Sequence, residues 1–361
     1  MIVVMFICIL RSSKYTAGYN GCQNMETQTA QGKKSSRNKL LAAIVLVVVL
    51  ATTGAYFYLN MRGTPRQHLI VSTTTSLYET GFLDVLKVEF ERRYPAINVS
   101  FISQGTGLAI QTAMRGDADM ILVHDAAREL QYLKDGYGVN RKIVAYNFFV
   151  IAGPKDDPIK IKGLSPLDAF KKIQQAGENK AAMWISRGDD SGTHSKEKTL
   201  WKLAGFDTVD LRKSGWYLEA GGSMTMTLKM ADEKGAYTLS DIASYLNNFS
   251  KKNIKLEVIV EGGKEMLNVY SAIANNPKKT EVAKSNFDAS MKLVRFLASD
   301  DGQNLLDKFG REQFGKPMFT PYIKVLKSGS DPGMVKTIQE LAYFDGTECP
   351  PQYRYQDEGL Y

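Results

Sequence analysis

From residue 67 onward, short apolar runs alternate with stretches whose apolar positions recur at helical spacing. Residues 68–71 form a short apolar run suited to a buried strand. Residues 81–93 place Phe82, Leu83, Leu86 and Phe90 on one helix face. A β-branched and aromatic stretch at 98–102, a helical stretch at 107–115 and an apolar run at 118–123 complete a βαβαβ order. That order predicts a parallel sheet with covering helices. Residues 143–152 form a longer apolar run followed by Gly153-Pro154, and are expected to cross from one lobe to another. A second series follows, with strands at 182–185, 236–239 and 254–259 and helices at 195–204, 222–234 and 241–247. Residues 269–274 are expected to cross back, and 287–297 and 302–309 read as helices. Two α/β lobes joined by two crossings make a hinged ligand clamp. The expected lobes are 66–148 and 149–268, with 269–361 as a return segment, C-terminal helices and tail.

Ahead of this pattern, residues 40–59 form a run of twenty residues without a charge. At 1.5 Å per residue the run measures about 30 Å, the thickness of a bilayer hydrocarbon core. Lys33, Lys34, Arg37 and Lys39 precede it, and only Arg62 and Arg66 follow closely. This bias predicts the N-terminus inside and the remainder outside. A cleaved signal peptide is the rival reading, but its apolar region is shorter, about 7–15 residues. No small-residue cleavage site stands out after Thr53, and Cys22 precedes the run, so a lipid-modified cysteine does not fit. The expectation is a single-pass anchor at 40–59 behind a cytoplasmic segment, 1–39, with Met25 as an alternative start. The binding domain would then lie outside the cell membrane.

Charge alters the picture only once it is located. Seven basic residues against one acid, Glu26, put six of the eight net positive charges in residues 1–63. The remaining 298 residues carry about +2, so no basic face for nucleic acid is indicated. Of the three cysteines, only Cys349 lies in the globular part. That excludes a disulfide framework there, and no Cys/His cluster suggests a metal.

Three junctions between a strand and a helix carry the candidate chemistry. Ser72-Thr73-Thr74-Thr75-Ser76 offers five consecutive hydroxyls, which suit a helix N-cap and an anion. Ser103-Gln104-Gly105-Thr106-Gly107 lets backbone approach a ligand closely at the same edge of the sheet, where α/β sheets bind ligands. Ser186-Arg187-Gly188-Asp189-Asp190-Ser191-Gly192-Thr193-His194 adds a permanent planar cation among hydroxyls and glycines. A loop arginine is ordinarily solvated; this one stands among anion-cradling groups. Gly221-Gly222-Ser223-Met224 opens another helix and offers backbone donors. Val123-His124-Asp125 could line the cleft or cap the next helix through Asp125; Ser240-Asp241 reads as an N-cap, and Met224, Met226 and Met230 as packing. Asp-Ser-Gly at 190–192 is reminiscent of catalytic serines, but His194 is too near Ser191 in sequence to serve it as a base. No enzyme is expected.

Together, Thr73-Thr-Thr-Ser76, Ser103-Gln-Gly-Thr-Gly107, Ser186-Arg-Gly-Asp-Asp-Ser-Gly-Thr-His194 and Tyr237-Thr-Leu-Ser-Asp241 resemble the tungstate-binding proteins of ABC transporters, the Tup type. The resemblance covers about residues 67–327. Ile242 stands where the family usually has Arg, which weakens any role for the last block. The resemblance implies the two-lobed periplasmic-binding-protein type II fold, a tungstate or molybdate ligand, no cofactor, and an ABC permease as partner of a monomer. It implies binding by Thr74, Thr75, Ser76, Thr106, Arg187, Ser191 and Thr193, with Gly105, Gly192, Ser223 and Met224 as further candidates. Tungstate carries no proton at neutral pH and only accepts hydrogen bonds. Phosphate is the alternative ligand, since it keeps a proton and needs an acceptor such as Asp125 or Asp189. An extracytoplasmic hydrolase is the remaining alternative.

Overall fold

The computed structural model describes residues 28–61 and 66–361. The apolar stretch 1–10, Cys8, Cys22 and Met25 lie outside the described residues. The chain divides into two units, Met1–Thr64 and Pro65–Tyr361. In the first, Gln28–Met61 is one continuous helix of 34 residues. Its window Lys39–Tyr56 has a mean hydropathy of 2.0 and none of it is buried. The window is long and apolar enough to cross a membrane, by length and composition.

The second unit is built on ten strands: β1 (Gln67–Thr74), β2 (Ile97–Gln104), β3 (Met120–Val123), β4 (Gly138–Gly153), β5 (Trp184–Ser186), β6 (Tyr217–Glu219), β7 (Tyr237–Asp241), β8 (Glu257–Glu261), β9 (Leu267–Asn275) and β10 (Thr320–Pro321). Their order is β2-β1-β3-β9-β4-β7-β5-β6, with β8 and β10 also pairing β4. The parallel βαβαβ expectation holds for β1, β2 and β3. In the second half β5 runs parallel to β6 and β7.

The sixteen-residue β4 joins the two halves. Its N-terminal part pairs with β9 and β10, and Phe149–Ala152 pairs with β7. The chain returns from β8 to β9 through Gly262, Gly263 and a 3-10 turn at Lys264–Met266. That is earlier than the 269–274 expected from sequence, which instead forms the body of β9. Each half has its own core: Leu69, Val71, Phe90, Val99, Leu293 and Leu297 in the first, and Phe149, Ile151, Phe170, Trp184 and Trp201 in the second. Truncating either buried tryptophan to Ala would cost about 3–5 kcal/mol.

The register brings the ends of several strands to one edge. Thr74 faces Gln104 on β2, Thr73 faces Leu122 on β3, and Phe149 in the last third of β4 faces Asp241. The loops that follow β1, β2, β3, β5 and β7 therefore converge where the halves meet.

The tail after residue 335 clasps β4. Arg141, fully buried, donates to Glu129 Oε2 at 2.8 Å, to the carbonyl of Ala342 at 2.9 Å and to that of Glu348 at 2.8 Å. Lys142 pairs with Glu348 and donates to the Leu360 carbonyl at 2.7 Å. Tyr361 OH donates to the Arg141 carbonyl at 2.9 Å. Buried cations are tolerated only when paired and hydrogen-bonded in this way.

Candidate ligand-binding site

Thr74 ends β1 and caps a short helix, Thr75–Glu79, that sequence reading did not separate from Phe82–Arg93. Its Oγ1 accepts from Leu77 N at 3.3 Å and lies 3.3 Å from Ser76 Oγ. Both hydroxyls lie 3.2 Å from His124 Nε2, at the end of β3. The Asn268 amide donates to Asn147 Oδ1 and Tyr270 OH, both at 2.9 Å. Its oxygen therefore accepts from His124 Nδ1, also at 2.9 Å. This chain of bonds assigns the neutral ring its Nδ1–H tautomer and leaves a lone pair on Nε2. Burial holds the His124 pKa below its usual 6.5, although Asp241, Asn268 and Asp125 pull it up.

The helix Thr106–Met114 starts directly after Gly105, with Thr106 buried and its Oγ1 without a hydrogen-bond partner among the described residues. Across the cleft, Ser191 caps the helix Gly192–Leu203 by accepting from His194 N at 3.2 Å. Thr193 on its first turn is buried, and its Oγ1 has no hydrogen-bond partner among the described residues. A Cβ built on Gly192 would lie 2.8 Å from His124 Cε1 and 3.0 Å from Thr106 Oγ1. Gly192 thus lets the two faces touch. Gly105 approaches the opposite loop less tightly: its Cβ would sit 3.4 Å from the Asp189 carbonyl.

Arg187 is buried, yet its guanidinium is only partly used. Nε donates to Asp189 Oδ2 at 2.9 Å and to the Gly222 carbonyl at 3.2 Å, and Nη2 reaches Thr75 Oγ1 across the cleft. Nη1 has no partner. The loop is braced from below by Glu197. That carboxylate accepts from Trp184 Nε1 at 2.8 Å, Tyr217 OH at 2.7 Å and Ser186 Oγ at 2.9 Å, and from the Arg187 backbone N–H. Burial raises its pKa above the usual carboxylate value despite these donors.

At the rim, Arg128 Nη2 donates to Asp190 Oδ1 at 2.6 Å, and Asp190 holds a φ of 55°, uncommon for a residue other than glycine. Glu79 accepts from Thr225 Oγ1 at 3.2 Å and from Asn247 Nδ2 at 2.6 Å. These contacts tie the two halves together.

Six of the seven main candidates are buried, and all seven face this junction or cap the helices that form it; Thr75 is half-buried. Ser223 caps the helix Met224–Lys234 by accepting from Met226 N. The Met224 side chain packs with Val150, Ile185 and Leu228, so only its backbone is left for a ligand. Asp125 and Asp241 cap helices, as the sequence suggested. A cavity of about 430 Å³ flanks the junction, sharing His124 and Gly192 with it. Sequence reasoning missed Glu197 and Asn268, and saw in His124 only part of a strand end that could line the cleft.

The arrangement gathers hydrogen-bond donors and one guanidinium in a buried space. The nearby carboxylates are already engaged: Asp189 by Arg187 and Ser191 N, Asp125 by Arg128 N and, at 3.4 Å, Arg128 Nε. Asp241 alone keeps a buried oxygen, Oδ2, without a hydrogen-bond partner or ion pair among the described residues. Such a space suits an anion that accepts hydrogen bonds. Ser191 Oγ, by contrast, has no histidine base: His194 Nδ1 accepts from Asp190 N at 3.1 Å.

The PBP superfamily domain matches residues 27–301. The chain is 37% identical over 290 residues to the tungstate-binding protein TupA of Peptoclostridium acidaminophilum, covering 78% of this chain and 98% of that protein. Among solved structures, the tungstate-binding protein TupA of Desulfovibrio alaskensis G20 aligns with a TM-score of 0.60 at 36% identity, over 71% of this chain and 98% of that one. The tungstate ABC transporter structure from Geobacter sulfurreducens aligns with a TM-score of 0.58 at 40% identity, over 66% and 97%.

Proposed function

Because the chain belongs to the PBP superfamily and, within it, to the Tup-type tungstate-binding proteins of ABC transporters, we propose that it captures tungstate outside the cell and hands it to a permease. The observation that carries this reading is a trio of buried donors without hydrogen-bond partners among the described residues: Thr106 Oγ1, Thr193 Oγ1 and Arg187 Nη1. Each is costly to bury unsatisfied. An oxyanion that only accepts hydrogen bonds answers all three. Molybdate, of like charge and size, is the natural competitor.

Thr74, Thr75, Ser76 and Thr106 line the anion from the first lobe, and Arg187, Ser191 and Thr193 from the second. Gly105 and Gly192 admit backbone N–H groups at the starts of two helices, where the dipole favours negative charge. Ser223 and Met224 contribute at most backbone at the border. Arg187 supplies the charge-assisted bonds. Since the donors come from both lobes, only the closed form satisfies the anion, and binding shifts the hinge toward closure. Phosphate fits less well, because Asp125 and Asp189 are already engaged; Asp241 Oδ2 is the acceptor it would need.

Substrate-binding proteins of this kind are not enzymes and work outside the cytoplasm with an ABC permease. The helix Gln28–Met61 serves as a single-pass anchor, and the protein acts as a monomer. Calorimetry with tungstate, molybdate, sulfate and phosphate tests the reading on the full chain in detergent. Tight tungstate binding with weak or absent phosphate binding is expected. Binding of phosphate alone, or of no oxyanion, overturns it.

A further inference from the structure

His124 stands between the hydroxyls of the anion site and a fixed amide, and its protonation decides where those hydroxyl hydrogens point. With the ring neutral, Nδ1–H is committed to Asn268 and Nε2 is a bare acceptor 3.2 Å from both Thr74 Oγ1 and Ser76 Oγ. One of the two hydroxyls must then spend its hydrogen on Nε2, because a buried acceptor left unmade is costly. That hydrogen is withheld from the ligand. With the ring protonated, Nε2–H becomes a donor to the hydroxyl pair. Both hydroxyl hydrogens turn outward, and a second cation stands beside Arg187.

We infer that His124 is a proton-coupled positioning residue of the anion site, and that binding of a fully deprotonated oxyanion draws one proton from solvent onto its Nε2. The inference rests on the proposed anion site. It explains why a histidine is buried among hydroxyls, where a purely structural residue needs no ionisable ring.

The groups around the ring are consistent with a proton held back until the ligand arrives. Asp241 at the end of β7 and the adjacent Asp125 favour the charged ring; burial and Arg187 oppose it, and opposition prevails. Tyr270 on β9 packs against the ring at 4.9 Å and is held neutral by burial. Lys196, Lys264 and Glu265 line the flanking cavity with His124, and burial lowers the Lys196 pKa to about 8. A dianion placed against the Thr74–Ser76 pair adds negative charge in a buried setting and favours the imidazolium. Linkage then makes affinity rise as pH falls, by up to about tenfold per pH unit while one proton is taken up.

The test is titration calorimetry of the full chain in detergent with micromolar sodium tungstate, between pH 6 and 8. Each point is repeated in two buffers of different ionisation enthalpy, so that protons are counted independently of affinity. Uptake approaching one proton per tungstate is expected over part of this range. In His124→Gln, weaker binding with no proton uptake is expected. In Asn268→Asp, a carboxylate behind Nδ1 raises the pKa of the ring, so the uptake window moves to higher pH. Tungstate binding without proton exchange in the unmodified chain overturns the inference and leaves the anion site standing. Uptake that persists unchanged in His124→Gln assigns the proton elsewhere, for instance to His194, and also overturns it. No binding of any oxyanion overturns the site and the inference together.

Discussion

Asp189 holds Arg187 from behind: its Oδ2 accepts from Nε at 2.9 Å while its Oδ1 accepts from Ser191 N at 3.1 Å. The carboxylate thus orients the guanidinium and ties it to the helix that opens at Ser191, leaving Nη1 for the ligand.

Arg187→Ala is therefore expected to cost about 2–5 kcal/mol of tungstate affinity, as for other buried charged hydrogen-bond partners. The two changes at position 189 should part company. Asp189→Asn keeps an acceptor for Nε and removes a negative charge near the anion, while setting an amide N–H against Ser191 N–H, so affinity should stay within a few-fold. Asp189→Ala frees the arginine and should weaken binding about tenfold, or roughly 1.4 kcal/mol. Competition titration of the three variants checks both expectations.

Gly192 offers a test of closure. The added methyl of Gly192→Ala would press on His124 and Thr106, both on the opposite face. Overpacking of this kind costs about 1–3 kcal/mol, and here it falls on the closed form. Affinity should drop about ten- to a hundredfold through faster dissociation, with little change in the melting temperature of the ligand-free protein. Stopped-flow release kinetics and thermal unfolding separate the two effects.

The hydroxyl clusters were legible because each follows a short apolar run and precedes helical spacing, the local grammar of a strand–turn–helix. Thr74, Asp125, Ser191 and Asp241 all cap helices as that grammar implies. What sequence reading missed depends on distant partners. His124 acquires its tautomer from Asn268, 144 residues away. The early part of β4 runs through Asn140-Arg141-Lys142, which reads as a loop until residues 200 positions later neutralise it. The three-residue β6 is too short to show a period. The helix Pro166–Glu178, by contrast, announces itself through the Ser165 cap and Pro166, and sequence reading passed over it.

Glu197 links stability to the site. Glu197→Ala strands two tryptophans, a tyrosine and the Ser186 hydroxyl, and should destabilise the protein by about 3–5 kcal/mol. Glu197→Gln keeps an acceptor for the ring donors but sets an amide N–H against the Arg187 backbone N–H. It should fold, with a smaller loss of stability, and bind tungstate about tenfold more weakly. Chemical denaturation and titration of both variants resolve these outcomes.

The histidines set a pH dependence of stability. Burial lowers the pKa of both His124 and His194 from 6.5 in the folded protein. Below about 6.5 the unfolded chain therefore binds protons first, and stability falls as pH drops toward the folded values. Above that range the histidines are neutral in both states and contribute no slope. The ligand-free protein should lose more stability between pH 7.5 and 5.5 than a His124→Gln, His194→Gln double variant. Denaturation at matched ionic strength measures the difference.

The clasp on β4 has a consequence for biogenesis. Arg141 and Lys142 lie at the start of the strand that joins the lobes, yet the groups that neutralise and cover them include Glu348, Leu360 and Tyr361. These emerge from the ribosome more than 200 residues after their partners. Until they arrive, closing the sheet would bury cations with incomplete compensation, so the first lobe is held back from early folding.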